Sequence, residues 1–358
     1  MTSHRVTLIP GDGIGPEVID AACAVVDSTG VRVEWERHQI GLPALEAGAS
    51  TPLPGGVIES IRRNRVALKG PVTTGLGGFR SPNIELRRAL ELHTQVRPVR
   101  SMRGTAARYE NVDLVVARET SEDLYSGVEL APGSADAMEL VGWLQARGFE
   151  LPTASGLSIK HVSAAAVDRM VQRVAAWATE NGRRRITLVH KAAVMRATDG
   201  LFLDVARARF AEYPTLTVDD ASVDLVAMRL VRSPSAFDVL VTLNLYGDVL
   251  SDLAAGLTGG VGLAPGANFG DELAVFEPAH GSAPKYAGQD RADPIAAVLS
   301  AALMLRHLGE GAAADRVEAA VAAVLASGTV RTQDLVGEEG TPASGTRAMT
   351  SAITEQLG

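Results

Sequence analysis

The chain has 358 residues, of which 46% are hydrophobic and 21% charged, a composition typical of a globular protein with two domains or one large one. A net charge of −8 and an aromatic content of 4% argue against a nucleic-acid-binding surface, which would need a basic field and stacking side chains. No apolar stretch approaches the length of a membrane span, and Cys23 is the single cysteine, so we expect neither a membrane anchor nor an internal disulfide.

Short apolar runs alternate with longer stretches of helical periodicity, which favours an α/β fold. Because the first strand begins a few residues after Met1, we expect no signal peptide and a cytoplasmic location. Helices are predicted between the strands, including residues 163–181, with Ser163 as N-cap and Gly182 as the stop, and the alanine-rich residues 311–327. Strands are predicted at residues 6–9, 31–35, 66–69, 112–117, 158–161, 186–190 and 239–244.

Glycines follow the first strand in IPGDGIGPE, residues 9–17, and precede a helix predicted at residues 17–27. A Rossmann dinucleotide-binding loop needs G-x-G-x-x-G/A, but here Gly11 and Gly13 are followed by Pro16 at the third small position. Proline suits the first turn of a helix, so the segment also reads as a tight strand-to-helix turn. The Rossmann spacing therefore fails.

Two aspartates four residues apart follow the strand at residues 239–244, in the stretch NLYGDVLSDLAAGLTGGVGL. If the chain is helical from Gly247 onward, Asp248 and Asp252 lie on one face, one turn apart. A solvated acidic helix face is one interpretation. The other is a site for Mg2+ or Mn2+, because paired carboxylates at the carboxyl end of a strand suit these cations.

Six segments in order along the chain resemble the isocitrate and isopropylmalate dehydrogenase family of β-decarboxylating dehydrogenases. They are LIPGDGIGPEV, KGPVTTGLGGFRSPNIELRRALELHTQVRPVR, RETSEDLYSGVE, VHKAAVMRATDG, NLYGDVLSDLAAGLTGGVGLAPGANFG and EPAHGSAPKYAGQDRADP. The resemblance covers nearly the whole chain. It implies an α/β fold distinct from the Rossmann domain, with two domains, an interdomain active-site cleft and a homodimer with shared active sites. The implied large domain comprises residues 1–93 and 259–358, and the small domain comprises residues 94–258, with a dimer clasp near residues 123–163.

The same resemblance assigns substrate binding to three arginines and a polar turn. Planar guanidinium groups bind carboxylates through paired hydrogen bonds, although any single arginine is more often part of a surface salt bridge. Isocitrate enzymes carry a serine and an asparagine in a short loop, whereas isopropylmalate enzymes carry apolar side chains in a longer one. The loop here is short and polar, which favours isocitrate. The residues implied are Ser81, Asn83, Arg87, Arg97 and Arg118.

Acid–base and metal residues are also implied by the resemblance. Tyr125 corresponds to the tyrosine that protonates the enolate carbon after carbon dioxide leaves, and Lys191 to the lysine that the partner subunit supplies for the hydroxyl proton. Asp224 would reach across the dimer to join Asp248 and Asp252 around Mg2+ or Mn2+, which acts as a Lewis acid. Without the family resemblance, Tyr125 would be interpreted as a packing residue, and Lys191 would be interpreted as the end of a strand.

The cofactor implied is NADP, and NAD stays possible. Lys285 and Tyr286 match the NADP pattern after HGSAP, where NAD-dependent members carry an aspartate and an isoleucine. The tyrosine and arginine that complete the NADP signature near the carboxyl terminus are missing, and only Arg331 offers a substitute. The implied cofactor residues are Thr73, Thr74, Glu277, His280, Gly281, Lys285, Tyr286 and Asp293.

Several positions depart from the family pattern, namely Pro82, Thr120, Ala193 and Asp293, and the loop before Ser81 is one residue short. Isocitrate oxidation and decarboxylation is therefore the first hypothesis. The second keeps the reaction class on another 3-substituted malate, such as homoisocitrate, 3-isopropylmalate or a phosphono analogue. The third is a non-catalytic regulatory paralogue, against which the intact Tyr125, Lys191 and aspartates argue.

Overall fold

A computed structural model of the protein describes residues 3–75, 79–336 and 343–358, so residues 76–78 of the predicted substrate loop lie outside the described residues. The described strands are β1 (Ser3–Ile9), β2 (Arg32–Arg37), β3 (Val66–Lys69), β4 (Thr94–Arg100), β5 (Asp113–Glu119), β6 (Glu129–Leu130), β7 (Leu157–Ser158), β8 (Arg185–His190), β9 (Thr217–Ser222), β10 (Val239–Thr242), β11 (Pro265–Phe269) and β12 (Ala274–Pro278).

Ten of these strands form one sheet, in the order β2-β1-β3-β12-β11-β4-β5-β10-β8-β9. The neighbours from β2 to β12 and from β5 to β9 pair in parallel. In the middle, β11 is antiparallel to both β12 and β4, and β4 is antiparallel to β5. This mixed sheet confirms an α/β fold that differs from the parallel Rossmann sheet.

The helices flank this sheet. They are α1 (Gly15–Ser28), α2 (Leu42–Glu46), α3 (Gly55–Asn64), α4 (Pro82–Ala89), α5 (Ala135–Gln145), α6 (Ala164–Glu180), α7 (Asp199–Phe210), α8 (Val223–Arg232), α9 (Asn244–Leu257), α10 (Ile295–His307), α11 (Gly311–Ser327), α12 (Gln333–Val336) and α13 (Thr346–Leu357). None of the helices in the described part of the chain is long and apolar enough to cross a bilayer.

Helix α6 shows why the local predictions succeed. The hydroxyl of Ser163 accepts a hydrogen bond from the N–H of Ala166 at 3.2 Å, as an N-cap should, and the chain after the helix turns at Gly182 with a φ of 70°. Val167, Met170 and Val174 recur at helical spacing and are fully buried. The helix is therefore confirmed with its predicted cap and stop.

The core lies on both faces of the sheet. Helix α10 packs against α1 and α11, and α13 packs against α1 and α11. The inward side chains of β1, such as Val6 and Leu8, meet Ile19 of α1 and Val298 of α10 in one buried cluster. Burial of this apolar surface supplies the main stabilisation of the fold.

Strands β4, β6, β9, β11 and β12 were not predicted, and residues 159–161 are not in a strand although one was predicted there. Three of the missed strands, β4, β9 and β11, lack a simple apolar pattern. β4 carries Arg97 and Pro98, β9 carries two aspartates, and β11 contains the buried Asn268. Their polar side chains hide the alternation from which strands are predicted.

Parallel pairing of β5, β10, β8 and β9 aligns their carboxyl ends along one edge of the sheet. Arg118 lies at the end of β5, α9 begins two residues after β10, Lys191 follows β8, and Asp224 follows β9. The fold therefore gathers the predicted catalytic residues where ligands bind in α/β sheets.

The sheet is continuous across the predicted domain boundaries near residues 93 and 259. β4 of the predicted small domain pairs with β11 of the predicted large domain, for example at Val96 and Ala267. The division into two domains stays a prediction.

Candidate active site

The buried guanidinium of Arg118 is the centre of the predicted site. Only 2% of Arg118 is exposed, its Nε donates to Oδ1 of Asn244 at 2.8 Å, and its Nη1 forms an ion pair with Asp248. Burial lowers the pKa of Arg118 to about 10, and the charge of Asp248 offsets part of that effect. A buried cation needs acceptors on every side, yet Nη2 has no hydrogen-bond partner among the described residues.

Tyr125 lies beside this ion pair on a short helical turn after β5. Its hydroxyl donates to Asp248, and the guanidinium carbon of Arg118 is 4.8 Å from the centre of its ring. Burial and this hydrogen bond raise the pKa of Tyr125, so the phenol keeps its proton. The turn is anchored by Asp123, whose carboxylate accepts a hydrogen bond from the N–H of Leu245 in α9 at 2.9 Å.

Arg97, the second predicted arginine, faces the other end of α9. Its Nη1 donates to Oγ of Ser251 at 2.6 Å and to Oδ1 of Asp252 at 3.1 Å. Burial and the neighbouring charge of Arg87 lower the pKa of Arg97, and its Nε is a second buried donor without a partner among the described residues. Unused donors on crowded guanidinium groups fit a carboxylate ligand.

The third arginine, Arg87, is held by Glu277, which was predicted to contact the cofactor. Glu277 accepts a hydrogen bond from Arg87 at 3.0 Å and from the Nζ of Lys69 at 2.6 Å. Asn268 completes the network, because its Oδ1 accepts from Arg87 Nε at 3.1 Å and its Nδ2 donates to Glu277 at 2.9 Å. Burial alone would raise the pKa of Glu277, but the charges of Lys69 and Arg87 hold it well below its usual value. The position of Arg87 therefore depends on a buried charge network.

Ser81 and Asn83 lie at the amino end of α4, with Pro82 between them at the first helical position. The Ser81 side chain makes no capping hydrogen bond, and the buried Oδ1 of Asn83 has no hydrogen-bond partner among the described residues. Both polar groups are therefore available to a ligand rather than consumed by the turn.

Lys191 and Asp224 contact each other. The Nζ of Lys191 donates to Oδ1 of Asp224 at 2.6 Å, and this hydrogen bond lowers the pKa of Asp224. The backbone N–H of Lys191 donates to the buried Asp199 at 2.7 Å, which fixes the start of the segment after β8. Among the described residues, neither Lys191 nor Asp224 forms a hydrogen bond or ion pair with Tyr125 or Asp248 of the same chain.

Asp248 and Asp252 lie four residues apart on α9, as predicted, and their side chains are 38% and 60% exposed. Burial would raise the pKa of Asp248, but the charge of Arg118 lowers it, so the carboxylate is ionised. In residues 3–75, 79–336 and 343–358, no group of three or more His, Cys, Asp or Glu side chains is placed to hold a metal ion. Asp248 and Asp252 thus form a pair of carboxylates without a third acidic side chain grouped with them among the described residues.

The glycine-rich segment after β1 packs against the predicted cofactor loop. The N–H of Ile14 donates to the carbonyl of Ser282 at 2.9 Å, and the hydroxyls of Thr73 and Ser282 are 2.8 Å apart. A side chain at Gly13, which has a φ of 58°, would collide with that same carbonyl. Asp12 accepts a hydrogen bond from the N–H of Thr73 at 2.7 Å. The glycines therefore allow the loop after β1 to contact the predicted cofactor loop. This role differs from that of the glycines in a Rossmann loop, so the Rossmann spacing is not required.

The other predicted cofactor residues differ in accessibility. Thr74 and Gly281 are exposed, whereas the Nε2 of His280 is buried without a hydrogen-bond partner among the described residues, and burial lowers the pKa of His280. Asp293 is only 6% exposed, and both of its oxygens are engaged within the chain.

Two cations surround the ring of Tyr286. The Nζ of Lys285 lies 4.6 Å, and the guanidinium carbon of Arg291 5.3 Å, from its centre. All three residues are exposed, and neither cation forms an ion pair with a described residue. Two close positive charges without a carboxylate fit an anionic group.

Three residues of the site were missed from the sequence: Lys69, Asp12 and Arg291. Lys69 had a signal, because it ends the apolar run VALK and is followed by Gly70 and Pro71, so its side chain enters a buried region. Arg291 had no sequence signal beyond its closeness to Tyr286 in the chain.

Comparisons with known proteins agree with this geometry. The family model described as "Isocitrate/isopropylmalate dehydrogenase" matches residues 5–357. The mitochondrial "Isocitrate dehydrogenase [NAD] catalytic subunit 5" of Arabidopsis thaliana is 40% identical over 99% of this chain and 89% of its own length. "Isocitrate dehydrogenase [NADP]" of Archaeoglobus fulgidus is 38% identical over 97% of this chain and 91% of its own. The crystal structure of isocitrate dehydrogenase from Methylococcus capsulatus is 44% identical, with a TM-score of 0.89 over 99% of both chains.

Proposed function

We propose, because the chain belongs to the isocitrate/isopropylmalate dehydrogenase family, that this decarboxylating dehydrogenase converts isocitrate to 2-oxoglutarate and carbon dioxide while reducing NADP. The observation that carries the proposal is the cluster of Arg87, Arg97 and Arg118. Two of these guanidinium groups present buried donors without partners among the described residues, which suits a substrate with several carboxylates.

The net charge of the proposed site supports a tricarboxylate substrate. Arg87, Arg97, Arg118 and Lys69 bring four positive charges to the site, against three negative charges from Glu277, Asp248 and Asp252. A divalent cation would raise the excess to three positive charges, which a tricarboxylate balances better than the dicarboxylate 3-isopropylmalate. Ser81 and Asn83, with their polar groups unused, would bind the additional carboxylate.

Tyr125 and Lys191 are the proposed proton-transfer groups. Lys191 of the partner subunit, acting as a base, would accept the proton of the substrate hydroxyl, and the bound dinucleotide would serve as the hydride acceptor for the carbon that carries this hydroxyl. Loss of carbon dioxide from the resulting keto acid leaves an enolate, whose carbon takes a proton from Tyr125. The raised pKa of Tyr125 supports this role, because the acid must be protonated when the enolate forms.

Asp248 and Asp252 would hold Mg2+ or Mn2+ together with Asp224 of the partner subunit. Their carboxylates are hard oxygen donors on one accessible helix face, which is the donor chemistry these cations require. When bound, the cation supplies Lewis-acid polarisation of the substrate oxygen. The pairing of Asp224 with Lys191, away from Asp248, supports a site shared between two chains.

A homodimer is proposed for the same reason, and exposed apolar side chains support it. Met228 and Val231 on α8 and Val249 on α9 are 43%, 41% and 61% exposed, and these two helices pack together beside the aspartates. Met138, Trp143 and Phe149 are exposed within the predicted clasp at residues 123–163. Exposed apolar patches of this kind mark protein interfaces.

NADP is proposed over NAD because of the cations around Tyr286. The 2′-phosphate of NADP is a dianion, and Lys285 with Arg291 offers it two positive charges that no described carboxylate neutralises. Arg291 would take the place of the arginine missing from the carboxy-terminal half of the NADP signature. The relatives do not separate the two cofactors, since both NAD and NADP enzymes are among them.

Another 3-substituted malate, such as homoisocitrate, 3-isopropylmalate or a phosphono analogue, is the second candidate. Phe79, two residues before Ser81, is 43% exposed and would offer an apolar surface to a substrate without a third carboxylate. A cytoplasmic location is also proposed, and the single cysteine, Cys23, fits a reducing compartment.

Steady-state assays with a panel of 3-substituted malates, both cofactors and either cation test the proposal. We expect the highest kcat/KM for isocitrate with NADP, and none without a divalent cation. Turnover of another malate with no turnover of isocitrate would overturn the substrate assignment and leave the reaction class intact.

A further inference from the structure

The carboxylate of Asp293 lies in a buried network outside the catalytic centre. Its Oδ1 accepts a hydrogen bond from the N–H of Ile295 in the first turn of α10, at 2.8 Å. Its Oδ2 is 2.9 Å from the hydroxyl oxygen of Thr332, and the same hydroxyl oxygen is 2.7 Å from Oδ1 of Asp334. Thr332 is fully buried, and it joins two carboxyl groups from distant parts of the chain.

These distances require an additional proton. A hydroxyl group has one hydrogen, so Thr332 donates to only one of the two carboxyl oxygens. An ionised carboxylate has no hydrogen, so the second short contact needs a carboxylic acid that donates to the hydroxyl oxygen. The cluster of Asp293, Thr332 and Asp334 is satisfied when the two aspartates share one proton.

Burial decides which aspartate holds the proton. Asp293 is 6% exposed, whereas Asp334 is exposed to water, which stabilises its charge. Burial, and next the charge of Asp334, raise the pKa of Asp293 to about 8. The geometry fits a proton on Asp293 that is donated to Thr332, while the hydroxyl proton of Thr332 is donated to Asp334.

The cluster joins the carboxy-terminal segment to the cofactor loop. A side chain at Gly262 would collide with the carboxylate of Asp334, so Asp334 packs directly on the turn before β11. Two further bonds hold residues 290–292: Thr346 donates to the carbonyl of Ala292 at 2.6 Å, and the N–H of Arg347 donates to Asp290 at 2.9 Å. These are the residues that flank Arg291, which lies over the ring of Tyr286.

We propose that Asp293 and Asp334 share one proton through Thr332, and that this protonated cluster positions the segment Lys285 to Arg291 for the dinucleotide. Asp293 is thus a positioning residue, because its oxygens bind the chain. The second half of the proposal rests on the proposed function; the shared proton does not.

Few other charges act on this cluster. Asp334 faces Asp293 from the carboxy-terminal segment, and the charge of Asp334 acts on His280 from the loop after β12. Asp290 of that loop forms an ion pair at 3.9 Å with Arg347 of α13. None of these groups is a cation in contact with Asp293, so ionisation of Asp293 places two negative charges on one hydroxyl group.

The sign of the pH dependence follows from the raised pKa. Between the ordinary aspartate value of 3.8 and about 8, the folded chain binds a proton that the unfolded chain has released. The contribution to the free energy of unfolding therefore falls as pH rises through this window and is constant above it. Above about pH 8, repulsion between the two aspartates loosens the segment, and dinucleotide affinity falls with it.

The test uses the full-length protein and Asp293→Asn. Asparagine has the same shape, donates from Nδ2 to Thr332, accepts from Ile295 through Oδ1, and does not titrate. Two quantities are measured from about pH 5 to about pH 9: the melting temperature without ligand, and the dissociation constant of NADP in the absence of substrate. Asp334→Asn and Thr332→Val test the other two members, and Asp204→Asn, an exposed aspartate of α7, is the matched control.

We expect the melting temperature of the wild type to fall relative to Asp293→Asn as pH rises to about 8. We also expect the wild-type dissociation constant for NADP to rise by about tenfold between pH 7 and pH 9, as for binding that needs one proton with a pKa of about 8, while that of Asp293→Asn stays flat. Parallel melting profiles for the two proteins would refute the shared proton. A changed melting profile with parallel binding profiles would refute the positioning role. If neither dinucleotide binds at any pH, the proposed function and the positioning role both fail, while a changed melting profile still supports the shared proton.

Discussion

The Tyr125 hydroxyl donates a hydrogen bond to Oδ2 of Asp248, and Arg118 binds the other oxygen of the same carboxylate. One carboxylate thus contacts the proposed proton donor and a proposed substrate arginine, and it is also a proposed metal ligand. Burial, and next the hydrogen bond to Asp248, raise the pKa of Tyr125, so a cation that competes for this carboxylate would make the phenol a stronger acid. The proposed proton donation by Tyr125 would therefore be coupled to ligand binding.

Tyr125→Phe removes the proton donor and keeps the ring beside Arg118. We expect kcat to fall by about 100-fold to 10,000-fold, the usual range for loss of a general acid, with little change in KM. Steady-state kinetics at saturating cofactor and cation measure both constants. A rise in KM with unchanged kcat would instead assign Tyr125 to substrate binding.

Asp252→Asn weakens the proposed metal site at its more exposed ligand. The Asp252 side chain is 60% exposed, so loss of its ion pair with Arg97 should cost less than about 1 kcal/mol of unfolding free energy. We expect the Mn2+ concentration for half-maximal activity to rise at least tenfold. A tenfold rise corresponds to a loss of about 1.4 kcal/mol in binding free energy. Asp204→Asn is the control, and an unchanged Mn2+ titration would remove Asp252 from the site.

Glu277→Gln leaves Lys69, which is 1% exposed, without a carboxylate partner. We expect a loss of about 3–5 kcal/mol in the free energy of unfolding at neutral pH, as for other broken buried ion pairs. The folded pKa of Glu277 is depressed, so its stabilisation is present above the ordinary value of 4.5 and is lost as pH falls below it. Urea unfolding from neutral to acidic pH should show the two proteins converging as pH falls.

Arg291→Ala tests the preference for NADP. We expect the dissociation constant of 2′,5′-ADP to rise about tenfold, and that of 5′-AMP, which lacks the 2′-phosphate, to stay within about twofold. Calorimetric titration of both nucleotides gives the ratio directly. Arg63→Ala on α3, whose side chain pairs with Glu36, is a control far in sequence from the loop. Equal weakening of both nucleotides would mean that Arg291 does not bind the phosphate.

Mixing two inactive variants tests whether active sites are shared. Tyr125→Phe and Lys191→Met each remove one proton-transfer group, and in a mixed dimer one of the two sites regains both. Random exchange of subunits should therefore restore about a quarter of wild-type activity. The mixture must first be unfolded and refolded together, and each variant alone treated likewise is the control. Activity that stays at the level of the separate variants would place both residues in one chain's site.

Local apolar patterns predicted β1, β2, β3, β5, β8 and β10 and the helix α6 with its cap, because these elements carry short apolar runs or helical periodicity in their own sequence. Strands β4 and β11 escaped because the same residues that build them also serve the site. Arg97 and Asn268 lie in these strands and point polar groups into the protein, where only long-range partners such as Ser251 and Glu277 stabilise them. No local pattern encodes such partners.

Family resemblance named most of the candidate site, but it could not describe how its members contact one another. Glu277 was assigned to the cofactor, and its contacts with Lys69 and Arg87 depend on side chains 208 and 190 residues away in sequence. Likewise, the shared contact of Asp293 and Asp334 with Thr332 depends on the packing of the carboxy-terminal segment. Such contacts are properties of the folded chain.

The antiparallel pairing of β4 with β11 sets how the proposed cleft deforms. Because hydrogen-bonded strands, and not a flexible linker, join its two walls, a change in cleft width must appear as a change of twist between neighbouring strands. Opening or closing of the proposed cleft would therefore be felt along β4, which includes Pro98, at its hydrogen bonds to β11.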